Sequence, residues 1–185
     1  MNVKGVAVKS IQDFVKNNYY DQYQEWLNAM PEVSKAIMSK PVFASEWYPA
    51  KDAVIEPTKA MAKLFYSGDT QKAGWESGRY SAEVALGGIY KIFVKMATPK
   101  FIIERASKIL PAYYDPSEVT VRDNGPKHCV IAISRLPGSD SVIESRIGGW
   151  IQKAFEVTGC KNVQINTLQS LSQGANETIM KIVWD

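Results

Sequence analysis

The chemistry open to this chain is bounded by one histidine and two cysteines among its 185 residues. His128 and Cys129 are neighbours in a stretch that alternates in polarity, so a strand sends them to opposite faces. They form no thiolate–imidazole pair, and no serine is linked in sequence to the histidine as a nucleophile would be. Cys129 shares an apolar face with Ile131 and Ile133 and reads as a small core hydrophobe. Cys160, just past Gly159, suits an exposed thiol, either ordinary or open to acylation or redox sensing. These residues supply too few ligands for a structural zinc site. Gly87-Gly88 and Gly148-Gly149 fall within helical patterns rather than after strands, so neither cradles a phosphate. The carboxylates Glu104, Glu118, Asp123 and Glu144 are scattered and form no acid/base pair. No catalytic residue and no metal ligand is assigned, and the expectation is a protein that is not an enzyme.

Arg79 is the residue whose type and place conflict. The spacing predicts a helix over 69–97 with two stripes. One is small: Gly74, Gly78, Ser81, Ala85 and Gly88. Its neighbour is large: Trp75, Arg79, Ala82, Leu86, Ile89, Phe93 and Met96. Glycines 74, 78, 87 and 88 each cost about 1 kcal/mol relative to alanine inside a helix. Close approach of another backbone would offset that, so the small stripe reads as a packing groove and the large one faces a core or a cavity. Arg79 then has two readings. Its stem packs while the guanidinium reaches water, or it offers a cation to a ligand's carboxylate, phosphate or propionate inside an apolar pocket. Trp47, Tyr48, Trp75 and Tyr80 divide the same way, between core packing and pocket lining.

The elements that must position these residues change character along the chain. A short β-prone segment opens it over 3–9. Ser10 with Asp13 then starts a helix over 10–30. Pro31 suits the first turn of a second helix ending near 40, and 41–49 is an irregular aromatic connection. A third helix covers 51–66, with Pro57 as a kink or a delayed start. After the helix over 69–97, Thr98-Pro99 opens another, ending near 110. Beyond Pro111 the period drops to two. Residues 118–123 and 127–135 form a hairpin about Asp123-Asn124-Gly125-Pro126. Asp140 caps a helix to about 158, with Ile143, Ile147, Trp150, Ile151, Ala154 and Phe155 facing inward and Gly159 closing it. Residues 162–171 and 178–184 make a second hairpin. The expected fold is α+β, a helical N-terminal half packed on a four-stranded antiparallel sheet in ββαββ order. One domain over 1–185 is expected, with subdomains at 1–112 and 113–185.

Composition sets the compartment and the partners. The chain is 45% hydrophobic and 22% charged, with five Trp, nine Tyr and six Phe, which excludes intrinsic disorder. A net charge of +3, dispersed along the sequence, gives no basic face with interleaved aromatics, so no nucleic acid is expected as partner. No apolar run is long enough to span a membrane, and Met1-Asn2-Val3-Lys4-Gly5 lacks a signal peptide's apolar core. Two cysteines read as reduced thiols, and a cytoplasmic location is expected.

Several segments together resemble a known superfamily. They are Gly149-Trp150-Ile151-Gln152-Lys153-Ala154-Phe155, then Thr158-Gly159-Cys160-Lys161-Asn162-Val163, then Gly174-Ala175 and the closing Lys181-Ile182-Val183-Trp184. They are similar to the end of the ligand-binding domains of nitric-oxide signalling and Golgi transport. That superfamily holds haem–nitric-oxide-binding domains, 4-vinyl-reductase-type domains and subunits of the transport-protein-particle (TRAPP) tethering complex. Val3-Lys4-Gly5 and Trp47-Tyr48-Pro49 look like a bacterial branch described mainly from myxobacteria. The resemblance implies a hydrophobic pocket between the helical part and the sheet, used by different members for haem, an aromatic effector or an acyl chain. Haem-binding members use a proximal histidine on a helix and a Tyr-x-Ser-x-Arg motif. Here His128 is a strand residue and that motif is absent, so haem ligation of that kind is not expected and the cofactor stays unassigned. Thr178-Ile179-Met180 stands where the 4-vinyl-reductase type often carries a cysteine.

The function expected is a non-catalytic sensory or effector-binding domain for a small hydrophobic molecule in bacterial signalling. Its pocket would be lined from Trp75, Arg79, Leu86, Ile89 and Phe93, with Trp150 from the later helix, and the glycine-striped helix would move on binding. The alternative is a scaffold subunit in which that stripe forms a homodimer or an interface with a signalling partner.

Overall fold

A computed structural model describes residues 1–87 and 98–185, and the part of the expected helix over 88–97 lies outside them. The chain opens with β1 (Asn2–Lys4), which passes directly into α1 (Gly5–Asn18). The helix thus begins five residues before Ser10. The Ser10 hydroxyl caps nothing and instead donates to the Ala7 carbonyl within the helix, at 2.7 Å. Nor does the first helix run to residue 30. Asn18 Nδ2 donates back to the Phe14 carbonyl at 2.8 Å, a local bond that competes with the helical ladder, and the chain breaks at Tyr19. A single 3-10 turn then leads into α2 (Tyr23–Asn28). Pro31 precedes α3 (Glu32–Met38) as its N-cap.

The aromatic connection holds a short strand, β2 (Trp47–Pro49), which pairs antiparallel with β1. Pro57 delays the next helix. A five-residue π turn (Lys51–Ile55) precedes α4 (Glu56–Phe65), and the proline sits in its first turn, where no N–H is needed. The Pro57 carbonyl accepts from Nε1 of the fully buried Trp26, at 2.9 Å, which centres the helical core. Next comes α5 (Thr70–Gly87), whose first turn is held by Asp69 Oδ1 accepting from the Lys72 N–H at 2.9 Å.

The second half follows the expected order closely. Helix α6 (Pro99–Tyr113) runs through Pro111 and ends in β3 (Tyr114–Asp115), which pairs with the other side of β1. Strands β4 (Glu118–Gly125) and β5 (His128–Ser134) form the first hairpin. Then come α7 (Ser141–Val157) and the second hairpin, β6 (Gln164–Gln169) and β7 (Thr178–Val183). Asp140 Oδ1 accepts from the Val142 N–H at 2.9 Å and fixes the start of α7. The large sheet is antiparallel in the order β4-β5-β7-β6, with Cys129 opposite Ile182 and Ile131 opposite Met180. Those four side chains and Ile133 are buried on its inner face. The fold is therefore α+β, a helical half against a four-stranded antiparallel sheet.

Candidate functional site

Helices α5 and α7 cross at backbone distance. A Cβ built on Gly78 would lie 2.0 Å from the Arg146 carbonyl oxygen, and one on Gly149 would lie 2.1 Å from the Trp75 carbonyl oxygen. The small stripe on α5 thus meets its partner within the same chain, at Gly148-Gly149 and the turn before them. Gly74 and Gly78 are buried by that crossing, which leaves these positions no free face for a second chain.

The crossing is tied at its edge by polar groups. Arg79 donates through both Nη atoms to the Glu156 carboxylate, each at 2.9 Å, and also to Gln152 Oε1. The Glu156 bonds hold the guanidinium charged more firmly than usual. Trp75 Nε1 donates to the same Gln152 oxygen at 3.0 Å. Arg79 and Trp75 are therefore committed to α7. Leu86 is half-buried against the core, and Ile89 and Phe93 lie outside the described residues.

The apolar cavity lies elsewhere, between α6, the inner face of the sheet and α7. Its volume is about 70 Å³. Ile102, Ile103 and Leu110 roof it, Ile131 and Ile133 floor it, and Ile147 and Trp150 close one side. Of the residues expected to line a pocket, Trp150 reaches it. Its ring is tilted against Tyr113 with centroids 6.1 Å apart, and its buried Nε1 meets no acceptor among the described residues.

Arg146, from α7, also lines the cavity, at 1% exposure. Its Nη1 donates to Ser77 Oγ at 2.8 Å, and its Nη2 to the Ala7 carbonyl and Ser10 Oγ, each at 2.9 Å. Burial pulls it below the usual guanidinium range, with the Tyr114 phenol against it as a partial offset. Burial pushes the Tyr114 phenol up in turn, so that group stays neutral. The sequence pattern held a signal for Arg146, because it sits three residues after Ile143 and directly before Ile147 on the inward face.

A second hollow, of about 480 Å³ and polar, opens beside the start of α5 and the end of β6. Its buried carboxylate, Glu144, accepts from the Ser170, Ser172 and Thr178 hydroxyls and from the Ser172 N–H. Burial alone would raise its pKa, but those donors together lower it. Glu144 is saturated, and it pins the turn between β6 and β7 to α7.

The remaining chemistry is quiet. His128 lies at the start of β5, with Nε2 3.0 Å from Asp123 Oδ2 at the exposed hairpin. Cys129 is buried in the cavity wall, where burial and the Asp123 charge push its thiol up to about 12. Cys160 is buried rather than exposed, because the chain after Gly159 folds back, and burial raises its thiol as well. Among the described residues no cluster of metal-ligating side chains occurs, and no helix is long and apolar enough to cross a membrane.

No family model matches the chain, and no curated protein does. Solved structures do. The chain is similar to an H-NOX protein from S. oneidensis in the Fe(II)NO ligation state, at 12% identity and a TM-score of 0.75, over 98% of this chain and 99% of that one. An H-NOX domain of Shewanella oneidensis in the Fe(II)CO ligation state matches at 14% identity and a TM-score of 0.73, over 98% of both chains. An unliganded Fe(II) H-NOX protein from K. algicida matches at 11% identity and 0.69, over 98% and 96%. The chain has the H-NOX fold.

The cavity residues do not fit a haem. A porphyrin is far larger than 70 Å³, and the chain's one histidine lies away from the cavity. The wall's Cys129 thiol is held protonated, so it makes a poor axial ligand.

Proposed function

We propose that this protein is a non-catalytic sensor domain that binds a small hydrophobic molecule in the cavity between α6, the sheet and α7. The observation carrying this reading is the cavity itself, an apolar volume walled by aliphatic side chains from three elements. At about 70 Å³ it is roughly half the ~150 Å³ of an engineered cavity that takes benzene, which favours a ligand of a few non-hydrogen atoms. Its binding residues are Ile102, Ile131, Ile147 and Trp150, with the α5/α7 crossing as a fixed frame.

Ligand entry would displace α6, which meets the sheet through side chains, rather than the glycine-striped α5. The outer face of α6 carries Phe101, stacked under Arg105, and offers a surface through which a signalling partner or a second copy reads occupancy. The setting is cytoplasmic bacterial signalling, and residues 1–185 act as one unit built from the helical and ββαββ parts. The test is a titration with 1-butanol followed by methyl NMR. Saturable shifts of Ile102, Ile131 and Ile147, with smaller ones on α5, support the reading. A spectrum unmoved by 1-butanol and by its carboxylate counterpart, butyrate, contradicts it.

A further inference from the structure

We infer that the ligand of this cavity is a short organic carboxylate whose anionic group pairs with the Arg146 guanidinium. The inference rests on the sensor reading above and names the ligand's chemical class. It starts from a charge with no counter-charge. Buried charges in proteins are paired as a rule, because an isolated one is costly to desolvate. Arg146 is 1% exposed, yet among the described residues its Nη atoms donate to neutral acceptors, Ser77 Oγ, the Ala7 carbonyl and Ser10 Oγ.

Those acceptors are also occupied. The Ser10 hydroxyl donates to the Ala7 carbonyl, and the Ser77 hydroxyl to the Gly74 carbonyl, so both serines turn lone pairs to the arginine. The phenols of Tyr114 and Tyr113 face Arg146, with no carboxylate against it among the described residues. Arg79, the other arginine of this region, shows the contrast, because it has Glu156. An arginine carries five N–H donors, so capacity remains beyond Ser77, Ala7, Ser10 and the Tyr114 phenol.

The second observation is Trp150. It lines the same cavity, and its indole N–H is buried without an acceptor among the described residues. Both side chains line one apolar space, and among the described residues there is neither an acceptor for the one nor an anion for the other. A carboxylate supplies both needs, and a short alkyl body suits the aliphatic walls once α6 has moved to admit it. A neutral alcohol of equal length would fill the space and leave the charge uncompensated.

The test compares sodium butyrate with 1-butanol on the full chain, read by methyl NMR and by the Arg146 Nε–H resonance. Butyrate is expected to bind at least roughly tenfold more tightly than 1-butanol, in keeping with a charged buried hydrogen bond, and to shift the Arg146 resonance. In Arg146→Met the preference for butyrate should disappear. If that variant does not fold, the wild-type comparison still decides. Equal binding of both probes, binding of 1-butanol alone, or butyrate binding with the Arg146 resonance unmoved would overturn the carboxylate assignment and leave the apolar pocket standing. If neither probe binds, the pocket reading falls and this inference with it.

Discussion

Helix α7 packs on two neighbours in opposite ways. Against α5 it touches backbone to backbone at Gly78 and Gly149, and the edge is fastened by Arg79, Trp75, Gln152 and Glu156. Towards α6 the gap is spanned by aliphatic side chains around an unfilled volume of about 70 Å³. Arg79, at the α5 edge, meets a carboxylate, whereas Arg146, which lines that volume while bonding to Ser77, Ala7 and Ser10, meets none among the described residues. Packed interiors are bistable rather than continuously deformable, so a ligand acts where packing is incomplete. The comparison teaches that the glycine stripe, the strongest pattern in the sequence, marks the part that stays fixed. Function is assigned to the plainer helix beside it.

The largest effect should come from breaking the fixed side. Gly78→Leu places a side chain into the Arg146 carbonyl, and we expect a loss of about 4 kcal/mol or failure to fold, measured by urea unfolding. Loss of fewer than about 1 kcal/mol would mean that the crossing yields easily, and the contrast with α6 would collapse.

Glu144→Ala comes next. It leaves the Ser170, Ser172 and Thr178 hydroxyls without their shared acceptor and should cost about 2–3 kcal/mol at neutral pH. The sign with pH follows from the depressed carboxyl. Its contribution is complete above the unfolded-state pKa of about 4.3 and is lost as pH falls through the lower folded value. The gap between wild type and Glu144→Gln, followed by urea unfolding from pH 7 to pH 3, should close at the acid end.

On the yielding side, Ala106→Val adds methyl groups towards the cavity. Stability should rise by about 0.5–1 kcal/mol while 1-butanol binding weakens, a pairing that thermal unfolding and NMR titration can read together. The smallest effect belongs to the Arg79–Glu156 pair. Both partners are partly exposed, so a double-mutant cycle should return about 0.5–1 kcal/mol, less at high salt.

Local chemistry explains what was legible. Asp140 and Gly159 bound α7 in the sequence as in the structure, and turn residues placed both hairpins. The small stripe on α5 announced a backbone neighbour, which Gly148-Gly149 supplies. The strands β2 and β3 were not legible, because two- and three-residue strands have no period and form only by pairing with β1. The break at Tyr19 was hidden for a related reason, since the apolar spacing runs on through it while Asn18 ends the ladder. The site divides along the same line. Trp150 stands on an inward face that periodicity reveals. Whether an arginine on such a face meets a carboxylate depends on distant chain, and Glu156 lies 77 residues from Arg79. Arg146 is placed as plainly among isoleucines, but its partners Ser77, Ala7 and Ser10 lie 69, 139 and 136 residues away, beyond the reach of local periodicity.

Hydrogen exchange of helices α5, α6 and α7 tests the central claim most directly. Amides in the middle of α6 should exchange through openings of lower free energy than those in the middle of α5 and α7, and saturating butyrate should slow α6 selectively. Equal protection of the three helices, or ligand protection falling on α5 instead, would contradict the account.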